Sequence, residues 1–369
     1  MAKTGRKCMQ LGGFLAVLLA ASWTAAQAPP AGPPPEKPAE QVYKNIQVLK
    51  GMPASQLIPT MQFMSGSLGV PCEHCHVDPR ESDAKKEKVT ARKMIQMVAA
   101  IDRDHFEGRA EVTCNSCHHG QPKPATVPAI AQAAWVAQMQ PQPSAPASVP
   151  SVDDLFARYL KAVGGREAAD AIQTRVYKGT ATGYDGNEAP RPTPIEMYAS
   201  GPGKLLVVQQ LPNGAASSYA YDGDSGWMKN PRGVRALNPR EVETVRERAA
   251  ALDLIQLDDY LTTKVAGQET VNGRAAWVVE GTRRGASPVK LWFDAENGLL
   301  VRKQTQVATA FGPSPLQTDF ADYRPVGKLK LPFRVTSGTL SSGVVREFSD
   351  IQLNLPVEDS KFAMPAAAK

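Results

Sequence analysis

The sequence predicts a multidomain α + β protein, in which a small α-helical domain precedes an antiparallel β half-barrel with packed helices. Three observations favour this organisation. Two C-x-x-C-H motifs, Cys72–His76 and Cys114–His118, lie in an N-terminal stretch with helical periodicity. A stretch rich in Pro, Ala and Gln follows at residues 125–150. Beyond it, short apolar runs separated by Asn-Gly and Asp-Gly pairs are typical of antiparallel hairpins.

Residues 1–28 have the pattern of a cleaved signal peptide. Three basic residues precede an apolar run from Leu11 to Ala21, and an Ala-x-Ala sequence ends at Ala28. The run is too short to span a membrane as a helix, so we expect export to a periplasm, with peripheral attachment to the membrane left open. Half of the formal net charge of +6 belongs to this segment, and no basic block remains that would favour nucleic acid.

Composition divides the rest of the chain into domains and linkers. Residues 29–40 are Pro-rich and predict an extended tether. Residues 125–150 predict a second linker, in which Ile130–Met139 could form a short helix. The helical domain is therefore expected at residues 41–124 and the half-barrel at residues 151–369.

Each C-x-x-C-H motif has the spacing at which two thiols attach one haem covalently. The histidine that follows the second cysteine becomes the proximal ligand of the iron, which assigns His76 and His118 to that role. The motifs therefore predict two covalently bound haem c groups. Four cysteines would hold them: Cys72, Cys75, Cys114 and Cys117.

Zinc is the main alternative, because paired C-x-x-C sequences also form tetrahedral thiolate sites. Here 38 residues separate the two pairs, whereas zinc ribbons usually leave about 15–20. A histidine also follows both pairs, which zinc does not require. Disulfides are disfavoured because an oxidised pair could not form thioethers.

The ligand on the opposite side of each iron decides the chemistry, since methionine saturates the iron and favours electron transfer over oxygen chemistry. A predicted short helix before the first motif carries Met61 and Met64, and a Ser/Gly-rich turn at residues 65–71 could fold it back. A methionine at helical spacing is more often a core residue. The residues alone leave both candidates open.

A second predicted helix, Ala91–Phe106, precedes the second motif and carries Met94 and Met97 one turn apart. His105 near its end is a further candidate, because haems with two histidine ligands are common in multihaem proteins. Histidine at this position would give the second haem a lower reduction potential than the first.

Residues 41–124 resemble the cytochrome c subunit of photosynthetic reaction centres in three stretches: Met61–His76, Thr90–Met97 and Val112–Gly120. That family repeats a unit of methionine-bearing helix, turn and C-x-x-C-H motif. The resemblance implies that Met61 and Met94, rather than Met64 and Met97, are the distal ligands. Most members carry four haems and a lipid-anchoring cysteine, which this sequence lacks, so a photosynthetic role stays open.

The predicted function is one-electron transfer by a periplasmic two-haem c-type cytochrome, an electron carrier rather than an enzyme. Its partner would be a periplasmic or membrane redox protein. One alternative is a two-haem cytochrome c peroxidase, although those enzymes space their motifs much further apart. Another is a redox-sensing carrier of a hydrophobic ligand such as a lipid.

The C-terminal half predicts helices at Val152–Val163 and Pro239–Leu254 among strands. Predicted strands include Ala275–Glu280, Val289–Phe293, Leu299–Val307 and Leu331–Thr336. Hairpin turns are expected at Asp222-Gly223, Asn272-Gly273 and Asn297-Gly298.

This half has no histidine or cysteine, which excludes catalytic triads and thiol chemistry. The stretch Asp222–Gly226 lacks the spacing of a calcium-binding EF-hand loop and is interpreted as a turn. By strand pattern, residues 151–365 are similar to the LolA-like lipoprotein-carrier family. That similarity implies a curved sheet whose apolar concave face could hold an acyl chain or a peptide. The alternative is that the large aromatic residues simply fill the core: Trp227, Trp277, Trp292 and Phe293.

Overall fold

The computed structural model describes residues 36–124 and 149–365, apart from 185–190, 202, 212–213, 232, 240, 243, 247–259 and 284–287. The predicted signal peptide and the predicted linker helix Ile130–Met139 lie outside the described residues. Of the predicted helix Pro239–Leu254, the described residues 239, 241–242 and 244–246 are helical. No described helix has the length and apolar composition needed to cross a membrane.

The N-terminal part is helical, as predicted. Its helices are α1 (Ala39–Val42), α2 (Leu57–Leu68), α3 (Lys86–His105) and α4 (Cys114–His118), with short 3-10 turns at Ala54–Gln56 and Cys72–His74. One face of α2 is buried at Leu57, Thr60, Phe63 and Ser67, a spacing of three or four residues that places them on one stripe.

Residues 36–40, which precede the predicted boundary at residue 41, make hydrogen bonds to the helical segment. The Glu36 carboxylate accepts hydrogen bonds from the Ser55 backbone N–H at 2.7 Å and from its hydroxyl at 2.9 Å. The Ala39 N–H donates to the Met52 carbonyl at 2.7 Å. Glu36 and Ala39 are therefore bonded to residues 52–55 of the helical segment.

The C-terminal part forms one antiparallel sheet, which has thirteen strands in the described residues. The strands are β1 (Thr174–Tyr184), β2 (Pro192–Ser200), β3 (Lys204–Gln210), β4 (Ala216–Tyr221), β5 (Gly226–Asn230), β6 (Gly233–Ala236), β7 (Tyr260–Val271), β8 (Arg274–Arg283), β9 (Val289–Asp294), β10 (Leu300–Thr309), β11 (Gly312–Val326), β12 (Leu329–Gly338) and β13 (Gly343–Leu353). Their order is β6-β5-β4-β3-β2-β1-β13-β12-β11-β10-β9-β8-β7. Pairing of β1 with β13 therefore joins two meanders.

Two helices precede the sheet, α5 (Val152–Val163) and α6 (Arg166–Asp170). Helix α5 contacts both β7 and β12, which lie five positions apart in the sheet. Helix α5 therefore packs on the part of the sheet that runs from β12 to β7.

Helix α5 packs on one face of the sheet, where the main buried cluster lies. Phe156 and Tyr159 of this helix contact Phe293 in tilted arrangements, with ring centroids 5.2 and 5.7 Å apart. Trp277 joins the same buried cluster. Trp227 and Trp292 are also buried, in smaller clusters of their own. All four large aromatic residues are thus buried, as the core-filling alternative predicts, and the ligand-holding alternative stays a prediction.

The predicted turns are present. Asn272 and Gly273 connect β7 to β8 with φ angles of 50° and 79°, the left-handed pair that a tight hairpin requires. Gly298 lies in the turn between β9 and β10. Asp222 accepts hydrogen bonds from the Asp224 and Ser225 N–H groups at 3.0 and 2.7 Å, which confirms the turn interpretation of this stretch.

Candidate haem-attachment site

The predicted arrangement of helix, turn and first motif is present. Helix α2 ends at Gly69, whose φ of 65° is left-handed, and the Val70 N–H donates to the Ser65 carbonyl at 3.1 Å. This is the hydrogen-bonded helix end that glycine favours. The chain reverses there and enters the 3-10 turn Cys72–His74.

Helix α3 positions the second motif. Asp102 near its C-terminal end is buried, and its carboxylate accepts the Val112 N–H at 2.9 Å. Directly after Val112, Thr113 forms a reciprocal capping box with Ser116 and starts α4. The second motif is therefore helical over its whole length and is fixed at its start.

Both motif histidines are oriented in the same way. The Nδ1 atom of His76 lies 3.0 Å from the Arg80 carbonyl oxygen, and that of His118 lies 2.9 Å from the Gln121 carbonyl oxygen. A carbonyl oxygen only accepts, so each Nδ1 must carry the proton. Nε2 then keeps its lone pair, which is the tautomer that a metal-ligating histidine needs. Burial lowers the pKa of His76, which further favours the neutral ring.

None of the four motif cysteines is paired in a disulfide. Burial raises the pKa of the Cys75 thiol and of the Cys114 thiol. Over residues 36–124 and the described remainder, no three histidine, cysteine or acidic side chains come close enough to bind an ion together. The two C-x-x-C pairs therefore do not converge on the common four-thiolate site of the zinc alternative.

The two motifs are joined through a close backbone approach. The Gly120 N–H, just after the second motif, donates to the Ser67 carbonyl at 2.8 Å. A Cβ placed on Gly69 would lie 2.1 Å from the Gly120 carbonyl oxygen, so only glycine fits there. The C-terminal end of α2 thus contacts the end of the second attachment segment.

The four candidate methionines lie on the two predicted helices. Met61 and Met64 are half-buried against the small core of the helical segment. Met94 and Met97 are 39% and 45% exposed on one side of α3, an apolar surface of the kind that a bound haem would cover. His105 is exposed at the end of α3.

Charged residues fix the segment between His76 and α3. The Asp83 carboxylate accepts hydrogen bonds from both Arg92 terminal nitrogens, at 2.8 and 2.9 Å, and from Asn45 at 2.9 Å. These bonds hold the pKa of Asp83 well below its usual range. Lys88 donates to the Arg80 carbonyl at 2.9 Å, the same oxygen that orients His76.

The donor set fits covalently attached haem. Each motif offers two unpaired thiols and an imidazole whose Nε2 is available, and each is preceded by a helix with methionines. The sequence did not reveal the Arg80 and Gln121 carbonyls or the contact between Gly69 and Gly120. Backbone carbonyls carry no residue-type signal, and the glycine contact joins positions 51 residues apart.

Residues 15–190 match the family model described as "Photosynthetic reaction centre cytochrome C subunit". The predicted resemblance to this family is confirmed. The chain is similar to cytochrome c-554 of Chloroflexus aurantiacus, with 35% identity over 86 residues that cover 21% of this chain and 20% of that protein. It is also similar to the photosynthetic reaction center cytochrome c subunit of Thermochromatium tepidum, with 35% identity over 111 residues, 28% of this chain and 25% of that protein. The chain thus spans a quarter or less of the length of these relatives.

Solved structures similar to this chain include a LolA superfamily protein from Nitrosomonas europaea, with a TM-score of 0.42 and 13% identity, covering 58% of this chain and 98% of that one. A putative outer membrane lipoprotein-sorting protein domain from Vibrio parahaemolyticus has a TM-score of 0.41 and 13% identity, covering 57% of this chain and 93% of that one.

Proposed function

We propose that this protein is a two-haem c-type cytochrome that carries single electrons between redox partners in a periplasm. The observation that carries this proposal is the repeated histidine geometry. In both motifs a backbone carbonyl three or four residues further on accepts from Nδ1 and leaves Nε2 available. The same Nδ1 hydrogen bond occurs at the histidine that directly follows each pair of thiols, which is where a haem ligand is expected.

The cysteines of the motifs would attach the haems, and the histidines would bind the irons. Cys72 and Cys75 would hold one haem by thioether bonds, and Cys114 and Cys117 the other. His76 and His118 would bind the irons on one side. Haem iron supplies reversible one-electron exchange between its ferric and ferrous states.

Methionine would close the remaining position of each iron. Met61 and Met94 are the proposed distal ligands because they match the methionines of the reaction-centre family. A thioether ligand raises the reduction potential and leaves no open position for peroxide or oxygen. This favours an electron carrier over the peroxidase alternative.

The proximity of the two attachment segments supports electron exchange within one chain. The hydrogen bond from Gly120 to Ser67 places the segment after the second motif on the helix before the first. Two haems held on these neighbouring segments would let an electron enter at one and leave at the other. The external donor and acceptor would be periplasmic or membrane-bound redox proteins.

A pyridine haemochrome assay combined with near-infrared spectra tests the proposal. We expect two haems per chain and two thioether-to-iron bands in the wild-type protein. Met61→Ala and Met94→Ala should each remove one band and keep both haems.

Met64→Ala and Met97→Ala are the matched controls, because each lies one turn from the proposed ligand on the same helix. They should leave both bands intact. Loss of the bands in these variants instead would reassign the ligands, and a colourless purified protein would exclude the function.

A further inference from the structure

The helical segment does not complete its own core. Its buried cluster includes residues of α1, α2 and α3, but it also includes Phe311, which lies in the two-residue turn between β10 and β11. Phe311 is only 8% exposed, although apolar side chains at hairpin turns normally face solvent. The helical segment buries this side chain: the ring centroids of Phe311 and of Phe63 in α2 are 6.0 Å apart.

Polar contacts hold the same helix to the same turn. Thr60 in α2 is fully buried, and its Oγ1 accepts the Ala310 N–H at 3.0 Å. Thr60 is the buried partner of this bond, and its hydroxyl oxygen gains a donor from the turn that offsets the cost of burying it. Thr60 and Phe63 are one helical turn apart, so they present one face of α2 to the turn.

A second hairpin turn holds the neighbouring part of α2. In the turn between β12 and β13, the Ser341 hydroxyl donates to the Gln62 carbonyl at 3.1 Å, and the Gln62 side chain donates to the Ser342 hydroxyl at 3.0 Å. Gly66 follows, and a Cβ there would lie 2.4 Å from the Leu340 Cβ. Both turns are at the same end of the sheet, and together they contact α2 from Thr60 to Gly66.

We propose that these two hairpin turns are positioning elements for α2, so that the β domain fixes the helix carrying Met61 and thereby the ligation and reduction potential of the first haem. Phe311 is the central positioning residue: it contacts α2 and acts on the iron only through that helix. Met61 follows Thr60 directly and packs against the cluster that Phe311 completes. A ligand helix held by a rigid sheet keeps the weak thioether ligand in place without a large core beneath it. The inference rests on the proposed function and on Met61 as the ligand.

The test compares Phe311→Ala and the milder Phe311→Leu with Phe320→Ala in the full-length haem-loaded protein. Phe320 is equally buried, but it belongs to the sheet core. In Phe311→Ala, we expect the amides of α2 to exchange hydrogen at least about tenfold faster. The potential of the first haem should shift and its thioether-to-iron band should weaken, with Phe311→Leu intermediate. Phe320→Ala should leave the potential and the band unchanged.

Three outcomes overturn the inference. Wild-type exchange in α2 of Phe311→Ala would show that the turn does not hold the helix. Faster exchange with unchanged potential and band would show that the contact stabilises the fold without reaching the iron. Retention of both thioether-to-iron bands in Met61→Ala would overturn the ligand assignment itself. If Met61→Ala removes one band but Phe311→Ala leaves the potential and the band unchanged, only the positioning role is overturned.

Discussion

At Gly69 a hydrogen atom in place of a methyl group allows the end of α2 and the segment after the second C-x-x-C-H motif to meet. We predict that Gly69→Ala destabilises the protein by more than its left-handed conformation explains. That conformation alone costs a non-glycine residue about 1–2 kcal/mol. The added Cβ would also overlap the Gly120 carbonyl oxygen, a backbone atom that cannot swing away. Overpacking of this kind costs about 1–3 kcal/mol more.

Gly51→Ala is the matched control for this prediction. Gly51 has a φ of 78°, and a Cβ there would meet nothing within 4 Å. It therefore incurs the backbone cost without the overlap. Urea denaturation of the haem-loaded variants measures both losses of unfolding free energy. Equal losses would mean that the two segments separate easily, which contradicts a fixed approach.

Individual site residues differ in how far the sequence could predict them. The cysteines and the histidines of the two motifs follow from spacing, because attachment chemistry requires it. The choice between Met61 and Met64 does not, since both are half-buried on α2 beside the same cluster, and it rests on the family resemblance. The carbonyls that orient the histidines depend on the local path of the chain after each motif.

The turn after β9 is stabilised by hydrogen bonds to one buried carboxylate, that of Asp294. Its carboxylate is 2% exposed at the end of β9 and accepts hydrogen bonds from Arg274 and from the N–H groups of Glu296 and Asn297. Burial raises the pKa of Asp294, but these hydrogen bonds outweigh burial and leave the pKa below its ordinary value. The ionised form is therefore the one that stabilises the turn.

The lowered pKa of Asp294 makes the unfolding free energy depend on pH. A carboxyl group with a lowered folded-state pKa stabilises the fold fully above the unfolded value, about 3.9, and loses this contribution as the pH falls through the folded value. We predict that Asp294→Asn lowers the unfolding free energy by about 2 kcal/mol at neutral pH, the usual worth of a hydrogen bond to a charged group. The difference from wild type should shrink below about pH 4.

Unfolding curves measured from pH 7 to pH 3 test this prediction. Asp224→Asn is a suitable control, because Asp224 is an exposed carboxylate in another hairpin turn. It should show no comparable difference. A constant loss in Asp294→Asn at every pH would indicate that the amide replacement acts through shape rather than charge.

Elements with local signals were predictable. Helix α5 spans Val152–Val163, as the apolar periodicity after Ser151 indicated, and Ser151 caps it by accepting the Asp154 N–H. The hairpin turn at Asn272-Gly273 was predicted because Asn and Gly readily adopt the left-handed conformation that such a turn requires. The pairing of β1 with β13 had no such signal, because these strands are more than 150 residues apart. Long-range pairing depends on burial across the whole sheet, which no short window contains.

On the scale of the whole molecule, the sequence suggested two domains joined by a flexible linker, whereas the two parts are in direct contact. Their interface depends on Phe311, an apolar residue in a hairpin turn. Its position was the one available signal, since such turns are usually polar. The partner surface on α2 could not be predicted, because the same apolar stripe would also suit a helix packed only within its own domain.

This shared core predicts cooperative unfolding. The Soret absorption of the proposed haems would report on the helical part, and tryptophan emission would report on the sheet through Trp227, Trp277 and Trp292. Because Phe311 belongs to the helical core and to the sheet backbone at once, we predict coincident urea transitions for the two probes. Phe311→Ala should separate them, with the haem signal changing at the lower urea concentration because the helical part loses the larger share of its small core. Two separate transitions in the wild-type protein would show that the contact does not couple the two parts.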